Sequence, residues 1–343
     1  MKIEKQFLQT IRRKIAYIRK GNPSNPKLIL IHGNASGSAF FIPIMNKLEN
    51  NYDVIALDLN GYGQTESSPI NAKTGLFDWS EDIDSFVEEL GIERFTLLGW
   101  SLGGGVAMKY ATLHSEKLTK LVLISPMSPF GFGGTYDEDG KLVGEDGIGS
   151  AGGFANQDFL NSLANKNRSD SPNTARDVMY KTYFKSGFKL DKELEDIFVD
   201  EILDMKIGED YYPGDYKPCS QFPFVLPGTK GINNTLSPKY ANVSSIAEIA
   251  NKPDILWFRG DSDLIVSDTS FSDLAYLGKL GILPNYPGDE KFPIQPMVSQ
   301  TRYVLEKYKA SGGNYHEFLI KDTAHSCHIE KEDEFVKILI ENL

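Results

Sequence analysis

Short runs of branched apolar residues recur along this chain, and they limit its possible folds more than any other feature. Helical patterns separate the runs, an arrangement typical of buried parallel strands joined by crossover helices. The runs lie at residues 28–31, 54–57, 95–98, 121–124, 255–258 and 318–320. The helical patterns fall at about residues 80–90, 102–114, 301–311 and 331–342. We therefore predict an α/β fold with a doubly wound, mostly parallel sheet.

Two long stretches interrupt this regular alternation. The runs at 121–124 and 255–258 are much further apart than an ordinary crossover requires. We therefore predict a core domain made of residues 1–126 and 253–343, with an inserted, partly helical cap at 127–252. The cap begins with a glycine-rich stretch that is expected to form a mobile loop or hairpin. Upstream of the runs, residues 7–11 and 14–18 are expected to form an antiparallel pair at the sheet edge.

The second interruption spans residues 268–300 and is rich in proline. Pro284, Pro287, Pro293 and Pro296 favour an ordered excursion over the domain surface and argue against a regular helix in this stretch.

Charge and cysteine content restrict the possible partners. The chain has 343 residues, with 36 Lys and Arg against 47 Asp and Glu, so its net charge is −11. Such a surface repels nucleic-acid phosphates and anionic lipid. The charged start and the lack of a long apolar stretch predict a soluble, cytoplasmic protein. Cys219 and Cys327 are expected to be free thiols, and we predict no metal site and no cofactor.

A candidate nucleophile lies in the sequence Gly99-Trp100-Ser101-Leu102-Gly103, a G-x-S-x-G pattern. A strand pattern precedes it and a helix pattern follows it, which is the context that gives this short motif its meaning. A serine at such a tight turn adopts a strained backbone, and its hydroxyl is exposed at the carboxyl end of the sheet. The glycines at 103–105 predict very close packing of the following helix against neighbouring strands.

Serine needs a base to become a nucleophile, and the chain has five histidines. His32 lies at the end of a strand, His114 late in a helix and His316 at the start of a strand. The other two follow the last strand, at the edge where the other strands also end. We take His325, the first in that loop, as the base. His328 is the alternative base, or else a packing residue at the start of the last helix.

The acid that orients the base should follow the preceding strand, in Gly260-Asp261-Ser262-Asp263. We choose Asp263, because Asp261 lies in the turn itself and is better placed to accept nearby backbone N–H groups. Asp268 is a third candidate. Acyl transfer also needs donors for the developing oxyanion, and we assign them to the backbone N–H groups of Leu102 and Asn34.

With the serine, aspartate and histidine in this order, the chain resembles the α/β-hydrolase superfamily. His32-Gly33-Asn34, the turn Asp58-Leu59-Asn60-Gly61-Tyr62-Gly63 and the serine motif match its capped members. The resemblance covers residues 26–126 and 253–343, whereas the cap resembles no family that we can name. It implies that Ser101 attacks a carbonyl, His325 transfers the proton and Asp263 stabilises the imidazolium. Water then releases the acyl group.

The resemblance also limits the types of reaction that we expect. Haloalkane dehalogenases and epoxide hydrolases share parts of this pattern, but their nucleophile is an aspartate and this chain has Ser101. The likeness to proline iminopeptidases is looser, because their serine motif is arranged differently. We predict a cofactor-independent serine hydrolase of a small or medium apolar ester, lactone or thioester.

Several alternatives remain open from the sequence. One is an enzyme of the same fold that cleaves a C–C bond of a β-diketone or a peptide-like amide. Another is a small-molecule receptor without catalytic activity. The only predicted partner is a small-molecule substrate, with no nucleic acid and no membrane. Aromatic residues of the cap could line an apolar pocket or form the cap's own core: Tyr180, Tyr183, Phe184, Phe188, Tyr211, Tyr212, Phe222 and Phe224.

Overall fold

A central β-sheet organises the structure, a computed structural model that describes residues 3–150 and 152–343. Within these residues eight strands form the sheet: β1 Gln6–Gln9, β2 Lys14–Lys20, β3 Lys27–Ile31, β4 Asp53–Leu57, β5 Phe95–Trp100, β6 Leu118–Ile124, β13 Asp254–Gly260 and β14 Tyr315–Ile320. Their order across the sheet is β1-β2-β4-β3-β5-β6-β13-β14. Short strands between β6 and β13 form separate pairs: β7 Thr135–Tyr136 with β8 Lys141–Leu142, β9 Ile207–Gly208 with β10 Tyr212–Pro213, and β11 Tyr216–Pro218 with β12 Val225–Pro227.

The sheet confirms the predicted mostly parallel architecture. Strands β3, β4, β5, β6, β13 and β14 run parallel, whereas β1 and β2 form the predicted antiparallel pair at one edge. Every residue of β4 and β5 is buried, as expected for strands covered on both faces. Strand β3 lies between β4 and β5, so the chain order reverses there. Such a reversal opens a crevice at the carboxyl ends of the strands, where ligands bind in open α/β sheets.

The α-helices of the described residues are α1 Ile42–Leu48, α2 Gly75–Glu89, α3 Leu102–His114, α4 Gln157–Ala164, α5 Ala175–Thr182, α6 Lys192–Leu203, α7 Leu274–Lys279, α8 Met297–Ala310, α9 Cys327–Glu330 and α10 Glu332–Asn342. Five of them form two groups: α2 packs on α3, while α1, α9 and α10 pack together. Helices α2 and α8 begin earlier than predicted, at residues 75 and 297. Helix α1 was not predicted, because its seven residues are too few to show a helical period.

Residues 127–252, called the cap segment below, leave the sheet after β6 and return to it at β13. They contain α4, α5 and α6 together with the short strand pairs. Its first pair, β7 with β8, is a hairpin that turns at residues 137–140, within the glycine-rich stretch that is expected to form a mobile loop or hairpin. Buried side chains of the segment, such as Met179 and Phe198, belong to the same continuous apolar core as the sheet. The domain boundaries at 126 and 252 stay a prediction.

The expectation that residues 268–300 contain no regular helix is wrong. Helix α7 occupies Leu274–Lys279, upstream of the first proline of the stretch, where nothing removes a backbone donor. The Asp273 side chain accepts the N–H of Ala275 and so caps the helix. Among the residues that the structure describes, no helix is long and apolar enough to cross a membrane.

Candidate active site

Ser101 lies in a tight turn between β5 and α3, as the motif predicted. Its backbone has φ 57° and ψ −118°, a conformation that costs a non-glycine residue about 1–3 kcal/mol. Neighbouring backbone holds the turn in place: the Ser101 N–H donates to the carbonyl of Ile124, and the Ser101 carbonyl accepts from Met127. The Ser101 side chain is half-buried and carries no hydrogen bond within residues 3–150 and 152–343.

The predicted close packing of the glycines after Ser101 is confirmed. A Cβ added at Gly99 would overlap the backbone of Gly103 inside the turn. A Cβ at Gly103 would overlap the carbonyl oxygens of Ile31 and His32, at the end of β3. The absence of side chains therefore lets α3 begin directly against the neighbouring strand, with its positive end beside Ser101.

His325 and Asp263 form a buried hydrogen-bonded pair. The His325 Nδ1 atom lies 2.8 Å from Asp263 Oδ2. The other carboxylate oxygen, Oδ1, accepts the N–H groups of Ile265 and Val266 at 2.7 and 3.0 Å. Because its acceptor sites are occupied in this way, the carboxylate has a fixed orientation toward the imidazole. The indole N–H of Trp100 also donates to the carbonyl of His325 at 3.0 Å, which ties the histidine loop to the serine turn.

The remaining histidines lie in other environments. His32 is buried, its Nδ1 contacts the carbonyl of Gly33, and its Nε2 accepts the N–H of Leu59. Burial lowers the pKa of His32 to about 4, so it stays neutral. His114 contacts Glu81 at the end of α3, and His316 is exposed on β14.

His328 is completely buried among aromatic rings. Its ring centroid lies 5.1 Å from that of Trp100 and 6.0 Å from that of Phe335. Within the described part of the chain, neither of its ring nitrogens has a hydrogen-bond partner. Burial, followed by the nearby His325, lowers the pKa of His328 to about 3. These contacts fit the packing role that the sequence left open for this residue.

Asp261 and Asp268, the other two candidates for the acid that orients His325, accept backbone N–H groups elsewhere. Asp261 accepts the N–H of Asp322 at 3.0 Å, as its turn position suggested. Asp268 accepts the N–H groups of Val298 and Ser299 at the start of α8. Neither carboxylate contacts His325.

The loop after β3 presents the N–H of Asn34 beside the serine turn. The Asn34 side chain is held by three hydrogen bonds: Oδ1 accepts from the Ala35 N–H and the Tyr62 hydroxyl, and Nδ2 donates to Asn233. Within the described residues, the backbone N–H groups of Asn34 and Leu102 have no hydrogen-bond acceptor. Both residues line the cavity that also contains Ser101. These two N–H groups are therefore free to bind an anionic oxygen.

One cavity of about 280 Å³ brings Ser101 and His325 together. Its wall is mainly apolar, and among the described residues no Asp, Glu, Lys or Arg lines it. The cap segment contributes Phe159, Val178, Tyr183, Tyr212 and Leu236. Among the cap aromatics, Tyr183 and Tyr212 thus line a pocket, whereas Phe184 and Phe222 are buried in cores. Across residues 3–150 and 152–343, no group of three His, Cys, Asp or Glu side chains could hold a metal ion.

Residues 268–300 support one wall of this cavity, a role that no sequence pattern indicated. The Gln295 side chain is fully buried, accepts the N–H of Gly133 at 2.6 Å and donates to the carbonyl of Gly131 at 3.0 Å. Gly133 itself lines the cavity. The excursion therefore fixes the glycine-rich start of the cap segment next to the site.

A family model described as the alpha/beta hydrolase fold matches residues 26–277. The chain belongs to this family. That assignment agrees with the sheet order, the serine turn after β5 and the histidine loop after β14.

Individual relatives of this α/β-hydrolase cover smaller parts of the chain. It is 34% identical over 128 residues to the dihydrolipoyllysine-residue acetyltransferase component of the acetoin cleaving system of Cupriavidus necator, a match that covers 37% of this chain and 33% of that protein. It is 29% identical over 116 residues to monoacylglycerol lipase abhd6-B of Xenopus laevis, covering 33% of this chain and 34% of the lipase. These matches thus span about a third of each curated relative.

A solved structure shares the fold along the whole chain. The esterase from Exiguobacterium antarcticum has a TM-score of 0.59 and 16% sequence identity, and the match covers 99% of both chains.

Proposed function

We propose that this α/β-hydrolase is a cofactor-independent serine hydrolase that cleaves a small or medium apolar ester, lactone or thioester. One observation carries the proposal: the buried His325–Asp263 pair and the strained Ser101 turn open into the same apolar cavity. An imidazole oriented by a carboxylate beside a serine is the arrangement that activates a hydroxyl for attack on a carbonyl.

The reaction would proceed in two steps. Ser101 Oγ attacks the substrate carbonyl while His325 Nε2 takes its proton, and Asp263 stabilises the resulting imidazolium. The N–H groups of Asn34 and Leu102 donate to the tetrahedral oxyanion. His325 then protonates the leaving alcohol or thiol, which leaves an acyl group on Ser101. A water molecule, deprotonated by His325, attacks that acyl group and restores the enzyme.

The cavity favours a neutral substrate of modest size. Ligand cavities of about 300–1,000 Å³ are usual for drug-sized molecules, so a volume of about 280 Å³ suits a short acyl group. A wall without charged side chains gives a free amino group or a carboxylate no partner, and burying such a charge is expensive. An aminopeptidase-type substrate is therefore the less favoured alternative. The similarity to a monoacylglycerol lipase and to an esterase is in line with this proposal.

A fluorophosphonate probe tests the proposal most directly. We expect a covalent adduct on Ser101 in the folded protein, and no adduct in Ser101→Ala. Turnover should be found with p-nitrophenyl esters, should fall as the acyl chain lengthens, and should be abolished in Ser101→Ala. The folding stability of that variant should be unchanged or higher than that of the wild type.

The same experiments can contradict the proposal. Turnover of amino-acyl anilides or vinylogous diketones without turnover of esters would make the ester assignment wrong. A folded wild-type protein that forms no adduct would instead support a small-molecule receptor.

A further inference from the structure

Tyr183 connects the cap segment to the loop that carries Asn34. It directly follows α5 and is only 6% exposed. Its hydroxyl donates to the carbonyl oxygens of Asn34 and Ala35, at 2.9 Å in each case. A single hydroxyl hydrogen is thus shared between two neighbouring peptide groups of the loop.

This loop needs external support because its backbone is strained. Ala35 has φ 45°, a left-handed conformation that costs a residue with a Cβ about 1–2 kcal/mol. The carbonyls that Tyr183 holds belong to Asn34 and to Ala35, so they flank this strained residue. The Asn34 N–H lies one residue upstream. Donors to an oxyanion are effective only when they are held in place before the reaction.

Tyr183 also contacts both other loops of the site. Its backbone carbonyl accepts the N–H of Ser326, the residue after His325, at 3.1 Å. Its ring packs edge-on against Trp100, the residue before Ser101, with centroids 5.7 Å apart. The elements that carry the serine, the histidine and the oxyanion donor therefore all contact this one residue.

The turn that carries Tyr183 is fixed on the histidine loop by a second residue. Glu330 Oε2 accepts the N–H of Lys185 at 2.7 Å, and its Oε1 accepts the N–H of Ala324 at 2.8 Å. The backbone position of Tyr183 is thus set independently of its hydroxyl. Burial, with Tyr212 nearby, raises the pKa of the Tyr183 hydroxyl far above its usual value, so it remains a donor at any working pH.

We infer that Tyr183 is a positioning residue whose hydroxyl holds the Asn34–Ala35 peptide so that the Asn34 N–H is aimed at the oxyanion. The inference rests on the proposed hydrolase function. The effect should appear in the transition state and not in substrate binding, because the hydroxyl bonds to the backbone and the oxyanion forms only during the reaction.

The Tyr183→Phe variant removes the hydroxyl and keeps the ring with its packing. We expect kcat to fall about tenfold, the effect of one lost hydrogen bond, while KM changes less than twofold. Tyr180→Phe is the matched control: Tyr180 lies in the last turn of α5, three residues before Tyr183, and its hydroxyl donates to Glu195 at 3.0 Å, away from the loop. Its kcat should equal that of the wild type. Thermal unfolding of both variants shows that each is folded.

Inhibitor binding separates positioning from a general structural effect. A trifluoromethyl ketone forms an oxyanion with the serine, whereas the matching methyl ketone binds mainly as a neutral ground-state analogue. In Tyr183→Phe the trifluoromethyl ketone should bind about tenfold more weakly, with the affinity for the methyl ketone unchanged. Equal weakening of both ketones would overturn the inference.

Fluorophosphonate labelling requires no known substrate. It shows whether the inference about Tyr183 fails alone or together with the proposed hydrolase function. The labelling rate of Ser101 should be about tenfold lower in Tyr183→Phe than in the wild type or Tyr180→Phe. Equal rates in all three proteins would overturn the inference and leave the hydrolase proposal standing. A folded wild type that forms no adduct would overturn both.

Discussion

Replacing His328 with phenylalanine should change how the stability of this protein depends on pH. His328 is fully buried, its ring nitrogens have no hydrogen-bond partner within the described residues, and burial lowers its pKa from 6.5 to about 3. Between these two pH values the unfolded chain binds a proton that the folded protein excludes. The free energy of unfolding therefore decreases as the pH falls below about 6.5, and this one residue accounts for a decrease of about 1.4 kcal/mol per pH unit.

Phenylalanine cannot bind that proton, so the variant lacks this loss. On going from pH 7.5 to pH 5.0, the free energy of unfolding of His328→Phe should rise relative to that of the wild type by about 2 kcal/mol. Phenylalanine is also slightly larger than histidine, and overpacking carries its own penalty of about 1–3 kcal/mol. That penalty does not depend on pH, so it cancels when the two pH values are compared.

Urea unfolding at pH 5.0 and pH 7.5, followed by tryptophan fluorescence, measures the difference. His316→Gln is the control, because His316 is exposed on β14, whereas His328 is buried. The reasoning would be refuted if wild type and His328→Phe responded equally to pH. The variant should also keep its esterase activity and Ser101 labelling. If the folded His328→Phe variant lost both esterase activity and Ser101 labelling, His328 would be favoured as the base in place of His325.

Two further substitutions, one of them with a matched control, test the site and its scaffold. Asp263→Asn should lower kcat by roughly 10³–10⁴-fold with little change in KM, because an amide cannot hold the imidazole in the same tautomer. Asp268→Asn, at the start of α8, should leave kcat within about twofold of the wild type by steady-state kinetics, and the reverse order would contradict the assignment. Gly103→Ala should lower the urea midpoint, because its Cβ would overlap backbone carbonyls of β3. Without such an overlap, a Gly→Ala change in a helix stabilises the protein by about 1 kcal/mol. A higher urea midpoint for Gly103→Ala would therefore contradict the close packing.

The strands of the sheet and the serine turn were predictable because each is encoded locally. A buried strand needs only a short apolar run, and the serine turn needs a serine between glycines at a strand-to-helix junction. The edge pair β1–β2 and the hairpin β7–β8 were predictable for the same reason. The sequence pattern does not reveal helix α7, because four prolines follow it within the same stretch. Proline acts on its own turn and on the residue before it, not on residues ten positions upstream.

Topology extended the prediction from local patterns to the pairing of distant residues. Once the strands are parallel, their carboxyl ends meet at one edge, so Asp263 after β13 and His325 after β14 become neighbours. The choice of Asp263 over Asp261 depended only on the backbone donors of a tight turn. The catalytic roles of these residues stay predictions until labelling and kinetics are measured.

The amino-acid sequence alone therefore determined the sheet, its strand directions and the place where a nucleophile, a base and an acid could meet. Tertiary structure alone decided the shape of the cavity, the support that residues 268–300 give to its wall, and the contact of Tyr183 with Asn34. That last contact joins residues 149 positions apart. Periodicity and turn chemistry report on neighbours within one helical turn or one strand pair, whereas such a contact depends on how the whole cap segment packs.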